Sequence, residues 1–246
     1  MAYKTDFLIT EDDVRIAFDH YINGFDKVII IAHGFNLNKD VFAIKKIAEF
    51  LSKEYDVITF DFRGHGKSAD FFTWTALEER DLSAVTEYAK SEGYKKIALL
   101  GLSLGAAVAI IHSSHNKDVD NVISVSAPSD IWKINFRVWE PQVKKEIELN
   151  MSYKVNGKGM RPGNPLIAKI KPINVVQKIS PRPILFIQGS DDWLIKKEHG
   201  EKLFEKAKEP KQIETIKGAG HAENIFIKFP EEFENICKNW LKKTFQ

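Results

Sequence analysis

The 246-residue sequence has a single cysteine, Cys237, so no intramolecular disulfide can form. The chain carries no mark of an oxidising compartment, and a cytoplasmic location is the expectation. Cys237 repeats with Phe233 and Leu241 at helical spacing, which predicts a core thiol and not a nucleophile. An excess of one charge is missing too. With 36 basic and 34 acidic side chains the formal charge is +2, so no broad field draws in a polyanion and nucleic acid is not an expected partner. Paired lysines such as Lys45-Lys46, Lys95-Lys96, Lys144-Lys145 and Lys242-Lys243 read as solvated faces. No run reaches the about 18 apolar residues that a membrane span requires. Residues 1–10 carry Asp6 where a signal peptide would be apolar, so none is expected. Internal repeats and low-complexity tracts are absent.

What is present is ordinary globular material, 43% hydrophobic and 28% charged, in a length that one large α/β domain fills. Residues 3–10 and 14–21 alternate apolar and polar around the acidic turn Glu11-Asp12-Asp13, which predicts an antiparallel hairpin at a sheet edge. From residue 28 the pattern changes. Val28-Ile29-Ile30-Ile31-Ala32 is apolar throughout, as expected of a strand covered on both faces. Similar runs recur at 57–62, 97–102, 122–125 and 184–187. Between them Val41, Ile44, Ile47, Ala48 and Leu51 fall at helical spacing, as do Leu82, Val85, Tyr88 and Ala89. Such alternation requires crossover connections, hence a mostly parallel central sheet with helices on both faces. Residues 129–178 break the rhythm: they lack a buried strand but hold Trp132, Phe136, Trp139 and Tyr153, then a glycine- and proline-bearing run. They read as a short helical lid inserted into a single domain spanning 1–246.

Reactive groups gather at the carboxyl ends of parallel strands, so the residues after each apolar run are the ones to inspect. Gly101-Leu102-Ser103-Leu104-Gly105 follows one run directly, and a helical pattern starts at once with Ala106, Ala107, Ala109 and Ile110. This is a Gly-x-Ser-x-Gly elbow in strand-turn-helix context, where glycines leave room for a tight turn that presents the serine. Serine is a weak nucleophile at neutral pH and needs a base within hydrogen-bond reach. Of seven histidines, His221 fits best, because it ends the small-residue loop Gly218-Ala219-Gly220 after the strand-like run 213–216. His33 precedes Gly34 and reads as a loop-shaping residue. The base in turn needs a carboxylate. Gly189-Ser190-Asp191-Asp192 after the run 183–188 offers Asp191 or Asp192; Asp130 reads as a helix cap. An oxyanion hole would draw on the backbone NH groups of Leu104, after the elbow, and Phe35, in the loop His33-Gly34-Phe35-Asn36. Phe71, Phe72 and Trp74, with Trp132, Phe136 and Trp139, are candidates for an apolar substrate pocket; the alternative is that they form the insertion's own small core. No metal or organic cofactor is implied. His112 and His115 share a helix but have no third ligand nearby in sequence.

In order along the chain, His33-Gly34-Phe35, Asp61-Phe62-Arg63-Gly64-His65-Gly66-Lys67-Ser68, the elbow, Gly189-Ser190-Asp191-Asp192 and Gly220-His221 resemble the α/β-hydrolase superfamily over nearly the whole length. The resemblance implies the α/β-hydrolase fold and selects Asp192, three residues past the glycine, over Asp191. It also implies a structural role for residues 61–68, which leaves Arg63 and His65 outside the catalytic set. In style the chain is similar to small bacterial carboxylesterases and to monoacylglycerol-lipase-like and feruloyl-esterase-like enzymes. The implied activity is hydrolysis of a small-molecule acyl ester through an acyl-enzyme. Two rival readings use the same residues: a non-hydrolytic member of the fold, such as a perhydrolase, haloperoxidase or carbon-carbon lyase, and a catalytically silent binding protein.

Overall fold

The computed structural model describes residues 2–134, 140–141, 144 and 160–246. Phe136, Trp139 and Tyr153 therefore lie outside the described residues, as does much of the expected lid. Eight strands form one sheet: β1 (Ala2–Ile9), β2 (Arg15–Ile22), β3 (Lys27–Ala32), β4 (Asp56–Phe60), β5 (Lys96–Leu102), β6 (Asn121–Val125), β7 (Ile184–Gly189) and β8 (Lys211–Ile216). Their order is β1-β2-β4-β3-β5-β6-β7-β8. The expected hairpin is there, β1 antiparallel to β2 and β2 antiparallel to β4, and every remaining pair is parallel. The principal helices are α1 (Phe42–Leu51), α2 (Glu78–Ser91), α3 (Leu104–His115), α4 (Lys197–Lys206), α5 (Glu223–Lys228) and α6 (Pro230–Thr244).

The unbroken apolar strands have their cause in two cores. Along β3, Val28, Ile30 and Ala32 point to one core, with Leu82 and Val85 of α2, Val108 and Ile111 of α3 and Leu203 of α4. Ile29 and Ile31 point to the other, with Ile44 and Ile47 of α1 and Phe233, Cys237 and Trp240 of α6. A strand with period two and helices on both faces must be apolar at every position. Each of the Val, Leu, Ile and Phe side chains among these adds about 1.5–3 kcal/mol by leaving water. Cys237 is fully buried, and burial pushes its thiol well above the usual range. By contrast β1 is exposed almost throughout, as an edge strand is.

β4 ends at Phe60, two residues before the expected boundary. The Asp61 amide still donates to Ala17 O of β2 at 2.9 Å, and its carboxylate accepts the amides of Lys39 and Lys67, at 2.7 and 2.8 Å. Between β6 and β7 the described part begins with a 3-10 turn, Ile131–Lys133, capped by Asp130, whose side chain accepts the Trp132 amide. The chain returns at Arg161–Gly163 in strand-like pairing: Arg161 donates to Gly64 O, Phe72 to Arg161 O and Gly163 to Phe72 O, at 2.7–2.8 Å. A helical turn, Pro172–Val175, then leads to β7.

Candidate active site

Gly101, Leu102 and Ser103 pass from β5 into α3 through a backbone that only small neighbours permit. Ser103 stands at φ 52°, in the left-handed region that a side chain rarely adopts. A Cβ at Gly105 would lie 2.1 Å from Ala32 O, and one at Gly101 would lie 2.5 Å from the Ala106 Cα. The two glycines of the motif thus answer to two different walls, the end of strand β3 and the first turn of α3. The Ser103 amide donates to Val125 O at 2.8 Å, which pins the elbow to β6.

Two loops bring the partners. His221 Nε2 lies 2.9 Å from Ser103 Oγ, and His221 Nδ1 lies 2.8 Å from Asp192 Oδ2. An ionised carboxylate only accepts, so the imidazole proton sits on Nδ1 and Nε2 is left to accept from the serine hydroxyl. The other carboxylate oxygen, Asp192 Oδ1, accepts the amides of Leu194 and Ile195 at 3.0 and 2.7 Å, so the carboxylate is held from both sides. Asp191, the alternative, is exposed and turned to Ser190. All three residues are buried, at 5–6% exposure. In that shielded setting hydrogen bonds between them are stronger than in water.

The loops that carry Asp192 and His221 are also joined to each other. Gly189 has Ala219 O and Gly220 O within 2.3 Å of where its Cβ would be, so any side chain would drive the loops apart. Asp191 donates to Ala219 O at 2.9 Å and Gly218 to Ser190 Oγ at 2.8 Å. Ala222, at φ 41°, donates to Ser126 Oγ at 3.1 Å, fixing the residue after the imidazole. Ser126 was not picked out from the sequence; its position directly after β6 was the available signal.

The Phe35 and Leu104 amides have no other acceptor among the described residues, and both residues line the same cavity as Ser103. Leu104 opens α3, where the first amides lack intrahelical partners. Gly34 lets this loop close on the elbow: its Cβ would meet the Ser103 Cβ at 3.3 Å. His33 shapes the loop from below. Its Nε2 accepts the Phe62 amide at 3.0 Å, so Nδ1 donates to Gly34 O at 2.8 Å. Burial, reinforced by His65, pushes His33 down to about 3. His65 contacts the Arg63 carbonyl at 3.0 Å and is pushed down to about 4, chiefly by burial. Asp61 is pushed up to about 6 by burial. Arg63 is fully buried between Asp81 and Asp12, with contacts at 2.8–3.0 Å, away from the cavity. His112 and His115 both reach the Glu79 carboxylate, at 2.8 and 3.1 Å.

Trp74 and Trp132 line the cavity with Phe35, Ser103 and Leu104. Phe71 does not. It is 56% exposed, whereas Phe72 is fully buried and packs on Phe35 and Trp74. The pairing of Phe72 with Pro162 gives this stretch a two-residue alternation, which sends Phe72 inward and its neighbour outward. The remaining lining comes from Pro128 just before the insertion, Ile131, Ile134, Pro165 and Lys169 within it, and Leu194 and Ile195 beside Asp192. These residues are too scattered to form a motif.

The profile of the alpha/beta hydrolase family matches residues 29–236. Among curated relatives, the uncharacterized protein YqkD of Bacillus subtilis is 26% identical over 213 residues, 79% of this chain and 64% of that protein. A carboxylesterase of the same species is 24% identical over 216 residues, 80% of this chain and 85% of the enzyme. The chain thus spans just under two thirds of the length of YqkD, and 61% of that of the uncharacterized protein YfhR of Escherichia coli. Among solved structures, the Pyrococcus furiosus esterase Pf2001 superposes with a TM-score of 0.81 at 28% identity, covering 100% of this chain and 94% of the esterase. With the elbow, the strand order and the family match all in agreement, the chain belongs to the alpha/beta hydrolase family.

Proposed function

We propose that the chain is a serine hydrolase that cleaves carboxylic (acyl) esters, with a carboxylesterase-like or monoacylglycerol-lipase-like activity. The observation that carries the reading is the hydrogen-bonded row from Ser103 Oγ through His221 to Asp192, at 2.9 and 2.8 Å. Ser103 Oγ attacks the ester carbonyl carbon while its proton passes to His221 Nε2. The imidazolium is stabilised by the Asp192 carboxylate, which two backbone amides and the imidazole NH hold in place. Negative charge developing on the carbonyl oxygen is received by the Phe35 and Leu104 amides. As the tetrahedral adduct collapses, His221 gives its proton to the departing alcohol and an acyl-enzyme remains. Water, activated by the same imidazole, then releases the acid and restores Ser103. Every proton and bond is accounted for by these groups and water, with no metal or organic cofactor.

Residues 129–178 act as a lid over an apolar pocket in this reading, and the chain works as one catalytic unit. Trp74 and Trp132 contribute to binding the acyl or alcohol portion. Support comes from the cavity they line beside Ser103 and from the esterase relatives. The test is Ser103→Ala assayed with p-nitrophenyl esters. Activity falls by about 10³–10⁴-fold or more while circular dichroism stays unchanged. A fluorophosphonate labels the parent protein and not the variant. Activity near the parent level in a folded variant removes the mechanism.

A further inference from the structure

Lys169 is the one charged side chain among the described residues that line the cavity beside Ser103. Around it the wall is apolar, with Pro128, Ile131, Trp132, Leu194 and Ile195. An ammonium group in such a wall gives up part of its hydration, and this desolvation pushes Lys169 below the usual lysine range. Elsewhere the molecule offsets that cost with a carboxylate. Fully buried Lys39 sits 2.7 Å from Asp19, and Lys171, two residues from Lys169, sits 2.9 Å from Asp130. No carboxylate among the described residues pairs with Lys169. Glu78 acts on it through space, but that carboxyl already accepts from the Thr73 amide at 2.6 Å and the Thr73 hydroxyl at 3.0 Å.

Neutral groups hold the Lys169 ammonium in place instead. Nζ donates to the carbonyl oxygens of Pro165 and Ile167, the latter at 2.7 Å, and lies 5.1 Å from the Trp132 ring centroid. The loop carrying those carbonyls is itself folded by Asn164, whose side chain accepts the Leu166 amide at 2.9 Å. An ammonium has three N–H donors, and two are used here. Carbonyl dipoles and a ring face orient a cation but leave its unit charge uncompensated. The result is a tethered, partly desolvated cation with one donor to spare, on the wall of an apolar cavity that contains the nucleophile.

We propose that Lys169 selects esters whose cavity-filling chain ends in an anionic group, a carboxylate or a phosphate, separated from the scissile bond by an apolar linker. The inference rests on the esterase reading above, because it takes Ser103 to mark the reacting end of the substrate. An anion at the far end completes the coordination of the ammonium, and the apolar linker lies along the wall of the cavity that Lys169 and Ser103 both line.

The test uses two ester series of increasing methylene number. In one, the carboxylate is carried on the acyl chain, as in monoesters of long α,ω-dicarboxylic acids. In the other it is carried on the alcohol, as in acetate esters of ω-hydroxy acids. Each is compared with the uncharged alkyl ester of equal length, and the quantity read is the ratio of kcat/KM, anionic over neutral, within one protein. In one of the two series the ratio passes through a maximum at one chain length, about tenfold above its value at other lengths. That maximum disappears in Lys169→Met, becomes a minimum in Lys169→Glu, and persists in Lys169→Arg. Raising the salt concentration lowers it in the parent protein. Phosphate-terminated chains of the best length then rank the two anions. If neutral esters are hydrolysed but the ratio is independent of chain length in both series, or the maximum survives Lys169→Met, the esterase reading stands and this proposal falls. If no ester is turned over, or Ser103→Ala is as active as the parent, both fall together.

Discussion

The loops that carry Ser103, Asp192 and His221 and the segment that walls the cavity above them are held by different kinds of force. In the loops the contacts are directional: Asp192 receives three donors, the Ser103 amide is bound to β6, and Gly189 brings the Asp192 and His221 loops into backbone contact. In the wall, Trp132 is 61% exposed, Leu166 is 83% exposed, and the lining is mostly apolar. Directional bonds fix atoms to tenths of an ångström, whereas apolar contact fixes only volume. The proton transfer proposed between Ser103 and His221 needs the first kind of precision. Acceptance of an acyl chain needs only the second.

Four perturbations sharpen this contrast, and they are expected to fall in descending order. Ser103→Ala removes the proposed nucleophile and lowers ester turnover by about 10³–10⁴-fold without unfolding the protein. Gly189→Ala touches no reacting atom. Its Cβ would sit 2.2 Å from Ala219 O, and the strain of moving two backbones apart destabilises the protein by about 3 kcal/mol in urea unfolding. Ser126→Ala leaves the buried Ala222 amide without its acceptor, which costs about 1–2 kcal/mol and slows kcat by about tenfold, with KM little changed. If turnover is unaffected, the loop that presents His221 is fixed by other contacts and the contrast loses one of its supports.

The fourth perturbation reads the floor through pH. His33 at about 3 and His65 at about 4 lie below the unfolded value of about 6.5, so the stability they contribute is present above that value and is lost as pH falls toward their folded values. Asp61, raised to about 6, has the opposite sign: its contribution is present below the unfolded carboxylate value of about 3.9 and is lost as pH rises through 6. Between pH 6 and 4 the two histidines therefore outweigh the aspartate by one proton. This makes stability fall by about 1.4 kcal/mol per pH unit from these three groups. In His65→Phe the measured slope over this window is smaller than the parent's by about that amount. An unchanged slope would mean that His65 is not held neutral beside His33.

Much of the floor was legible because each requirement there leaves a local trace. The Gly-x-Ser-x-Gly spacing records two steric walls, Ala32 O for Gly105 and the start of α3 for Gly101. His33 before a glycine was readable as a loop-shaping residue, and its two hydrogen bonds, to Gly34 O and from the Phe62 amide, bear that out. Asp130 was readable as a cap, though of a 3-10 turn. The wall left no such trace. Phe71 and Phe72 are equivalent in composition, and only the pairing of Phe72 with Pro162, ninety residues away in sequence, decides which of them faces inward. Nothing about Lys169 in the sequence separates it from the other lysines until Pro165, Ile167 and Trp132 are seen to gather around its ammonium.

By itself the sequence determined the layered α/β architecture, because a strand buried on both faces must be apolar at every residue and a helix covering it must repeat its apolar residues every three or four. It determined the elbow, because a strained turn tolerates few residue types. Only the tertiary structure decided how far apart Ser103, His221 and Asp192 stand and which side chains close the cavity around them. Those distances are set by the packing of loops from β5, β7 and β8, and contacts between distant segments leave no periodicity in the chain for a reader to find.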